Sequence, residues 1–154
     1  MTDIIRLDET SVEVFWQLRK QLFEELGEIT PETNPAELES ATKQYYLAHT
    51  GKDLISWGIL YENEIAAIGS LCFFERIPYK ENLSGREGYI LNIYTAPAFR
   101  NRGFAGRILD EIKAYANANH IKRLWLSSSE NGKHLYIKQG FQPKENEMEL
   151  FLTE

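Results

Sequence analysis

Hydrophobic residues recur along the chain at two spacings. Some return every three to four residues, which is typical of a helix with one buried face, and others alternate or form short runs, which is typical of strands. The predicted helices cover residues 12–26, 36–48, 104–118 and 132–139. The predicted strands cover residues 3–8, 54–61, 65–74, 89–96 and 123–129, followed by a strand pair within 141–153. This order predicts one mixed α/β (α+β) domain over residues 1–154, with a twisted mixed sheet of about seven strands and about four helices.

Local signals define where these elements begin and end. Thr10 and Glu13 have the spacing of a capping box at the start of the first helix, and Gly27 predicts its end. Asn34-Pro35 predicts the start of the second helix. The polar stretch 77–88 predicts a loop. Since strand 89–96, helix 104–118 and strand 123–129 follow one another, we expect a right-handed parallel crossover.

Composition narrows the function classes. The chain of 154 residues is 43% hydrophobic and 26% charged, as in a globular domain, and its formal net charge of −6 disfavours nucleic acid or an anionic membrane as partner. The N-terminal residues lack the layout of a secretory signal, and the single cysteine, Cys72, leaves a reducing cytoplasm as the expected location. The acidic balance is compatible with a small cationic substrate.

The segment RNRGFAG at 100–106 concentrates cations and flexible backbone before a predicted helix. Gly103 and Gly106 allow close approach of a ligand to backbone amides at a helix N-terminus, and arginines 100, 102 and 107 add positive charge. A diphosphate suits this arrangement. The nucleotide-binding patterns GxxxxGK[ST] and GxGxxG are absent from it. A glycine-rich turn with solvated arginines explains the segment equally well when it is taken alone.

Two segments together resemble motifs of the GCN5-related N-acetyltransferase (GNAT) family. LNIYTAPAFRNRGFAGRIL resembles the acetyl-CoA-binding motif, with Arg100, Gly103 and Ala105 at its characteristic positions. SENGKHLYIKQGF, at 129–141, resembles the second motif, in which Tyr136 and the Gly-Phe pair agree. Ser129 and Gly132 replace the Asn and Ala that are usual there. The two motifs cover about a third of the chain, and the predicted element order matches the family fold.

The resemblance implies direct transfer of an acetyl group from acetyl-CoA to a primary amine of a small molecule or peptide, without a metal. It implies splayed central strands, and an Ile93 backbone N–H that polarises the thioester carbonyl. It also implies that Tyr136 is the acid that protonates the leaving thiolate, although the hydroxyl serves some members only as a hydrogen-bond partner of the sulfur. The implied cofactor contacts are Ile93, Tyr94, Thr95, Arg100, Asn101, Arg102, Gly103, Phe104, Ala105, Gly106, Arg107, Ser129 and Tyr136.

Several assignments stay open at this point. On spacing alone, a residue such as Tyr136 is more commonly a core aromatic residue, and Ser129 either contacts the pantetheine arm or caps the helix after it. The family often uses a Glu on the central strand as base, but Asn92 stands there. The remaining candidate bases, each more typical of a solvated surface charge, are Glu24, Glu25, Glu75 and Glu87.

The regions expected to form the acceptor site carry no motif. They are the first two helices, the 77–88 loop and the predicted C-terminal hairpin, and the aromatic residues expected to wall this site are Phe23, Trp57, Tyr61 and Tyr79. We expect a small cationic amine as acceptor, with a peptide amine as the second choice, and a homodimer is compatible with the sequence. Cys72 is expected in the core, and the three histidines lack the spacing of metal ligands. The alternative function is a non-catalytic acyl-CoA sensor of the same fold.

Overall fold

The computed structural model describes residues 2–153 as a mixed α/β fold around a five-stranded sheet. The strands lie in chain order and are β1 (Thr2–Arg6), β2 (Leu54–Tyr61), β3 (Glu64–Glu75), β4 (Arg86–Thr95) and β5 (Arg123–Leu126). The helices are α1 (Val12–Glu25), α2 (Ala36–His49), α3 (Phe104–Ala118) and α4 (Lys133–Lys138). Strands β1 to β4 are antiparallel, and β5 runs parallel to β4. The predicted fold class and number of helices are confirmed.

Helices cover both faces of the sheet because successive residues of a strand point to opposite faces. On β3, Leu71 packs in the cluster that contains Ile108 of α3. Ile68, three residues earlier and therefore on the opposite face, packs with Leu18 of α1. Gly69 brings α3 close to the sheet, since a Cβ atom at this position would lie 2.4 Å from Ile108 Cγ2. The sheet therefore separates an α3 side from an α1 and α2 side.

A β-bulge in the middle of β4 changes the direction of its side chains. Ser70 pairs with Leu91 and Ile68 with Tyr94, so that two residues of β4, Asn92 and Ile93, lie opposite Gly69 alone. Asn92 has φ of +60°, a left-handed conformation that asparagine tolerates better than most residues. Hydrophobicity along the strand gives no sign of this extra residue.

Beyond the bulge, β4 and β5 diverge. Their parallel pairing covers only residues 87–90 of β4, so the stretch 91–95 has no strand on its β5 side within the described chain. The N–H of Ala96 donates to Ala66 of β3. By the alternation of an antiparallel ladder, the backbone groups of Thr95 and Ile93 face the open edge. The splay expected between the central strands is present.

Two local predictions were wrong. Asp8, instead of Thr10, accepts a backbone hydrogen bond at the helix start and forms the capping box with Ser11, because a 3-10 turn over residues 9–11 precedes α1. The strand pair within 141–153 does not form, which gives five strands in place of about seven. Alternation defines the faces of a strand but supplies no partner, and β5 has only four residues.

Candidate active site

The loop before α3 presents a row of unpaired backbone donors. Gly103 has φ of +79° at the N-cap of the helix, a conformation that side chains disfavour. The amides of residues 101–106 donate to no acceptor within residues 2–153. Unpaired amides and the helix dipole together attract an anion. The loop thus presents donors of the kind that a diphosphate requires, although the amide of Arg107, included in the prediction, donates to the Gly103 carbonyl at 3.1 Å.

The three arginines of this segment differ in their surroundings. Arg100 is bound to the protein, since its Nε donates to the Thr95 carbonyl at 2.9 Å and its guanidinium forms an ion pair with Glu25 at 2.5 Å. Arg102 is exposed and lies over the Tyr61 ring, 5.0 Å from its centroid. Arg107 donates to Thr2 Oγ1 at 2.8 Å. The charge of Arg100 is therefore neutralised, and its side chain anchors the loop to β4.

Tyr136 lies on α4, next to the splayed strands. Its ring packs against the α3-side core, as does Ile93, and makes an edge contact with Phe141 at a centroid distance of 6.0 Å. No described residue hydrogen-bonds to its hydroxyl, and the ring lines a cavity of about 850 Å³ with Leu126 and Ser127. Burial raises the pKa of Tyr136, so the phenol stays protonated at neutral pH.

Ser129 performs the capping role. Its hydroxyl accepts a hydrogen bond from the amide of Gly132 at 3.2 Å, at the start of the turn that leads into α4. Among the predicted cofactor contacts, residues 101–103 form the loop before α3 and residues 104–107 form the first turn of that helix. The open edge of Ile93 and Thr95 precedes this loop and is separated from it by the 3-10 turn Pro97–Phe99. The Thr95 carbonyl accepts from Arg100 and is not wholly free for a ligand.

Two of the four candidate bases, Glu87 and Glu25, differ from solvated surface charges because they are paired with arginines. Glu87 is fully buried at 0% exposure, hydrogen-bonds to Tyr79 and forms ion pairs with Arg123 at 3.0 Å and Arg76 at 3.5 Å. Burial raises the pKa of Glu87, but these partners outweigh burial and hold the pKa below its ordinary value. Glu25 is paired with Arg100. Both carboxylates are bound by cations, which makes them weak bases.

The expected aromatic wall of the acceptor site does not form as one surface. Trp57 is buried in the α3-side core against Tyr115. Tyr61 lies against Phe104 at the start of α3. Tyr79 donates its hydroxyl to Glu87. The predicted set is wrong because strand and loop positions read from sequence do not reveal which face of the sheet each ring occupies.

A second cavity of about 340 Å³ lies on the α1 and α2 side. It is lined by Phe15, Arg19, Ala41, Thr42, Tyr45, Leu54, Ser70, Cys72, Leu91 and Asn92. Leu91 and Asn92 are adjacent in sequence, and both reach it because of the bulge in β4. The sequence prediction omitted Arg19, although its position four residues after Phe15 and four before Phe23 places a cation on the apolar face of α1.

The site thus combines a helix start with unpaired amides, an open strand edge on β4 and a protonated phenol on α4. The chain belongs to the acetyltransferase (GNAT) family, whose model matches residues 19–141. No curated protein gives a significant match. Within residues 2–153, no helix is both long and apolar enough to cross a membrane.

Solved structures resemble the chain over almost its whole length. A predicted acetyltransferase from Clostridium acetobutylicum, crystallised with acetyl-CoA, is 28% identical with a TM-score of 0.85, over 98% of this chain and 96% of that one. A GCN5-related N-acetyltransferase from Ralstonia eutropha JMP134 is 22% identical with a TM-score of 0.88, over 99% of both chains. Glucosamine-6-phosphate N-acetyltransferase from Arabidopsis thaliana is 19% identical with a TM-score of 0.73, over 99% of both. The last two show the fold alone.

Proposed function

We propose that the protein is an N-acetyltransferase that moves the acetyl group of acetyl-CoA directly to a primary amine. The observation that carries this proposal is the row of unpaired amides at residues 101–106, beside the open edge of β4. The acetyl-CoA in the structure of the Clostridium acetobutylicum relative supports the same cosubstrate. The donor set fits a diphosphate, because backbone N–H groups supply it without bulky side chains at Gly103 and Gly106.

Two sets of backbone N–H groups have separate roles in this proposal. The amides of 101–106 and the start of α3 bind the diphosphate, and the Ile93 N–H donates to the carbonyl oxygen on which negative charge develops. When bound, acetyl-CoA supplies an acetyl group activated as a thioester. The Ile93 donor is backbone, so it is already oriented when charge appears and needs no rearrangement.

Tyr136 acts on the leaving sulfur. The raised pKa of its phenol keeps the hydroxyl protonated, so it can donate a hydrogen bond as the thiolate develops. A thiol, with a pKa of about 8.5, is a stronger acid than this phenol, so stabilisation of the sulfur by a hydrogen bond is favoured over complete transfer of the tyrosine proton. The proton that the sulfur finally carries comes from the acceptor nitrogen, directly or through water.

The test is Tyr136→Phe, which removes only the hydroxyl. We expect kcat to fall about 100-fold, the lower end for a positioned proton or hydrogen-bond donor, with the Kd for acetyl-CoA unchanged. Thiol release with a panel of amines measures the first quantity and titration calorimetry the second. Tyr115→Phe is the matched control, because Tyr115 lies in the α3-side core and its loss of a hydroxyl leaves the site intact.

The second candidate function is an acyl-CoA sensor of the same fold. It is favoured by Asn92, which occupies the central-strand position where the family often has a Glu, and by the pairing of Glu25 and Glu87 with arginines. Binding of acetyl-CoA without turnover of any amine would support the sensor. Absence of both binding and turnover contradicts the two functions together.

A further inference from the structure

The cavity on the α1 and α2 side has an apolar wall and one cationic group. Phe15, Tyr45, Leu54 and Leu91 supply apolar surface. Arg19 is the basic residue that lines it. Its volume of about 340 Å³ lies at the small end of the range for ligand pockets, which suits a metabolite and excludes a folded substrate. Such a lining recognises a small molecule that is apolar over most of its surface and charged at one end.

Arg19 has no carboxylate partner within residues 2–153. Its single hydrogen bond to a protein group is long, 3.4 Å from Nη1 to Asn92 Oδ1, and no Asp or Glu oxygen lies within ion-pair distance. The guanidinium lies over the Phe23 ring, 4.6 Å from its centroid, which orients the side chain without neutralising it. Partial burial lowers the pKa of Arg19, but a guanidinium remains charged.

Asn92 adds a second polar group without a full set of partners. The residue is 5% exposed and lines the cavity, and its Nδ2 is buried with no hydrogen-bond partner among the described residues. Its Oδ1 faces Arg19. Buried donors are normally paired, so an amide nitrogen without an acceptor, beside a guanidinium without a carboxylate among the described residues, indicates a site for an acceptor group that the protein does not supply.

We propose that this cavity binds the acceptor molecule, and that the acceptor carries a carboxylate that pairs with Arg19, in addition to an apolar body and the reacting amine. One guanidinium matches the charge of one carboxylate and its two oxygens. This inference rests on the proposed acetyl transfer. The net charge of −6 favours a cationic acceptor, but this charge is spread over the whole chain. The Arg19 guanidinium lies in the cavity itself and therefore has the stronger effect on a ligand bound there.

The cavity also lies close to the reacting end of the site. Asn92 lines it, and the next residue, Ile93, carries the N–H expected to bind the thioester oxygen. A carboxylate held by Arg19 therefore places the rest of a small acceptor along the bulge of β4. An amino acid with an apolar side chain has the three required parts.

The experiment compares phenylalanine, phenylalaninamide and 2-aminoethyl phosphate as acceptors and, without acetyl-CoA, as ligands in calorimetry. For the wild type we expect tighter binding and higher kcat/KM with phenylalanine than with its amide. Arg19→Met should lower kcat/KM for phenylalanine about 10–100-fold, the usual range for a lost charge-assisted hydrogen bond, and leave the amide unchanged. Lys20→Met is the matched control on the same helix, since Lys20 does not line the cavity.

The outcomes separate this inference from the proposed function. If acetyl-CoA binds and amines are acetylated, but the acid and the amide are equal in binding and turnover, the carboxylate site is wrong and the transferase stands. A preference for the phosphate also overturns it. If no amine is acetylated, acid-selective binding that Arg19→Met abolishes still supports the site. Arg19→Lys, which keeps the charge, should retain part of the selectivity and guards against a variant that fails to fold.

Discussion

Strand β4 carries two buried polar side chains, Glu87 and Asn92, that lie five positions apart and differ in how far other protein groups pair with them. At its start, Glu87 is fully buried and bound by Tyr79, Arg123 and Arg76. At its bulge, Asn92 is also buried but meets Arg19, whose charge has no carboxylate partner in the described chain. We refer to these as the Glu87 cluster and the Asn92 pair. In the Glu87 cluster, the charged groups are paired with other protein groups. In the Asn92 pair, the Arg19 guanidinium has no carboxylate partner and the Asn92 Nδ2 has no acceptor among the described residues.

This difference in pairing indicates separate roles for Arg123, which binds Glu87, and Arg19, which has no carboxylate partner in the described chain. A buried ion pair contributes to the stability of the folded state. If one partner is removed, the other stays buried without a counter-charge, and its desolvation is no longer compensated. A cation without a counter-charge contributes little to folding but binds a ligand that supplies the missing carboxylate. Stability measurements should therefore separate the two sites, even though both contain arginine and lie on one strand.

The largest effect is expected from Glu87→Gln. It leaves Arg123 without its counter-charge, and we expect a loss of about 1.5–3 kcal/mol in the free energy of unfolding, the range for hydrogen bonds to charged groups. Urea unfolding followed by circular dichroism measures it. Arg19→Met is the matched comparison and should not lower the same quantity, because a partly buried cation without a counter-charge carries a desolvation cost that Met does not. Equal losses in the two variants would remove the distinction between the sites.

A smaller effect is expected from pH. Because the pKa of Glu87 lies below its ordinary value of 4.5 in the folded protein, its contribution to stability is present above pH 4.5 and is lost as the pH falls through the folded pKa. The difference in unfolding free energy between wild type and Glu87→Gln should therefore shrink below pH 4.5. Urea titrations at intervals from pH 7 to pH 3 measure this. A constant difference over that range contradicts the ionised, paired state of Glu87.

The smallest effect is expected from Asn92→Asp, which gives Arg19 a carboxylate partner from the protein itself. Aspartate tolerates the left-handed conformation of this position and supplies Arg19 with a carboxylate. We expect the free energy of unfolding to change by no more than about 1 kcal/mol, because the attraction to Arg19 and the desolvation of the buried carboxylate oppose each other. Binding of phenylalanine should weaken at the same time. Tighter phenylalanine binding in the variant would show that Arg19 does not recognise the carboxylate.

Much of the fold follows from periodicity because long, strongly patterned elements bury one face. The ten-residue strand β4 and the fifteen-residue helix α3 lie close to their predicted ranges. The loop before α3 was located from two glycines and its neighbours. The predicted pair of strands after residue 141 fails for the opposite reason: an alternating segment without a partner buries nothing, and Leu150 remains 82% exposed.

The cavity on the α1 and α2 side was harder to predict. Its lining comes from α1, α2, β2, β3 and β4, and those residues share no motif or spacing. The sequence shows Asn92 at the central-strand position but not the bulge that directs it into the cavity. Glu87 was expected at the surface because glutamate is rarely buried unpaired, and Arg123, which binds it, is distant in the chain.

The sequence by itself determined the order of the elements up to residue 140, the glycine-rich loop before α3 and the family to which the chain belongs, because these depend on neighbouring residues and on short motifs. The tertiary structure decided which charges are neutralised. Glu87 meets Arg123, and Arg19 meets no carboxylate among residues 2–153, only because the sheet brings distant segments together. Electrostatic energy depends on distance and burial in space, and neither quantity can be read from position along the chain.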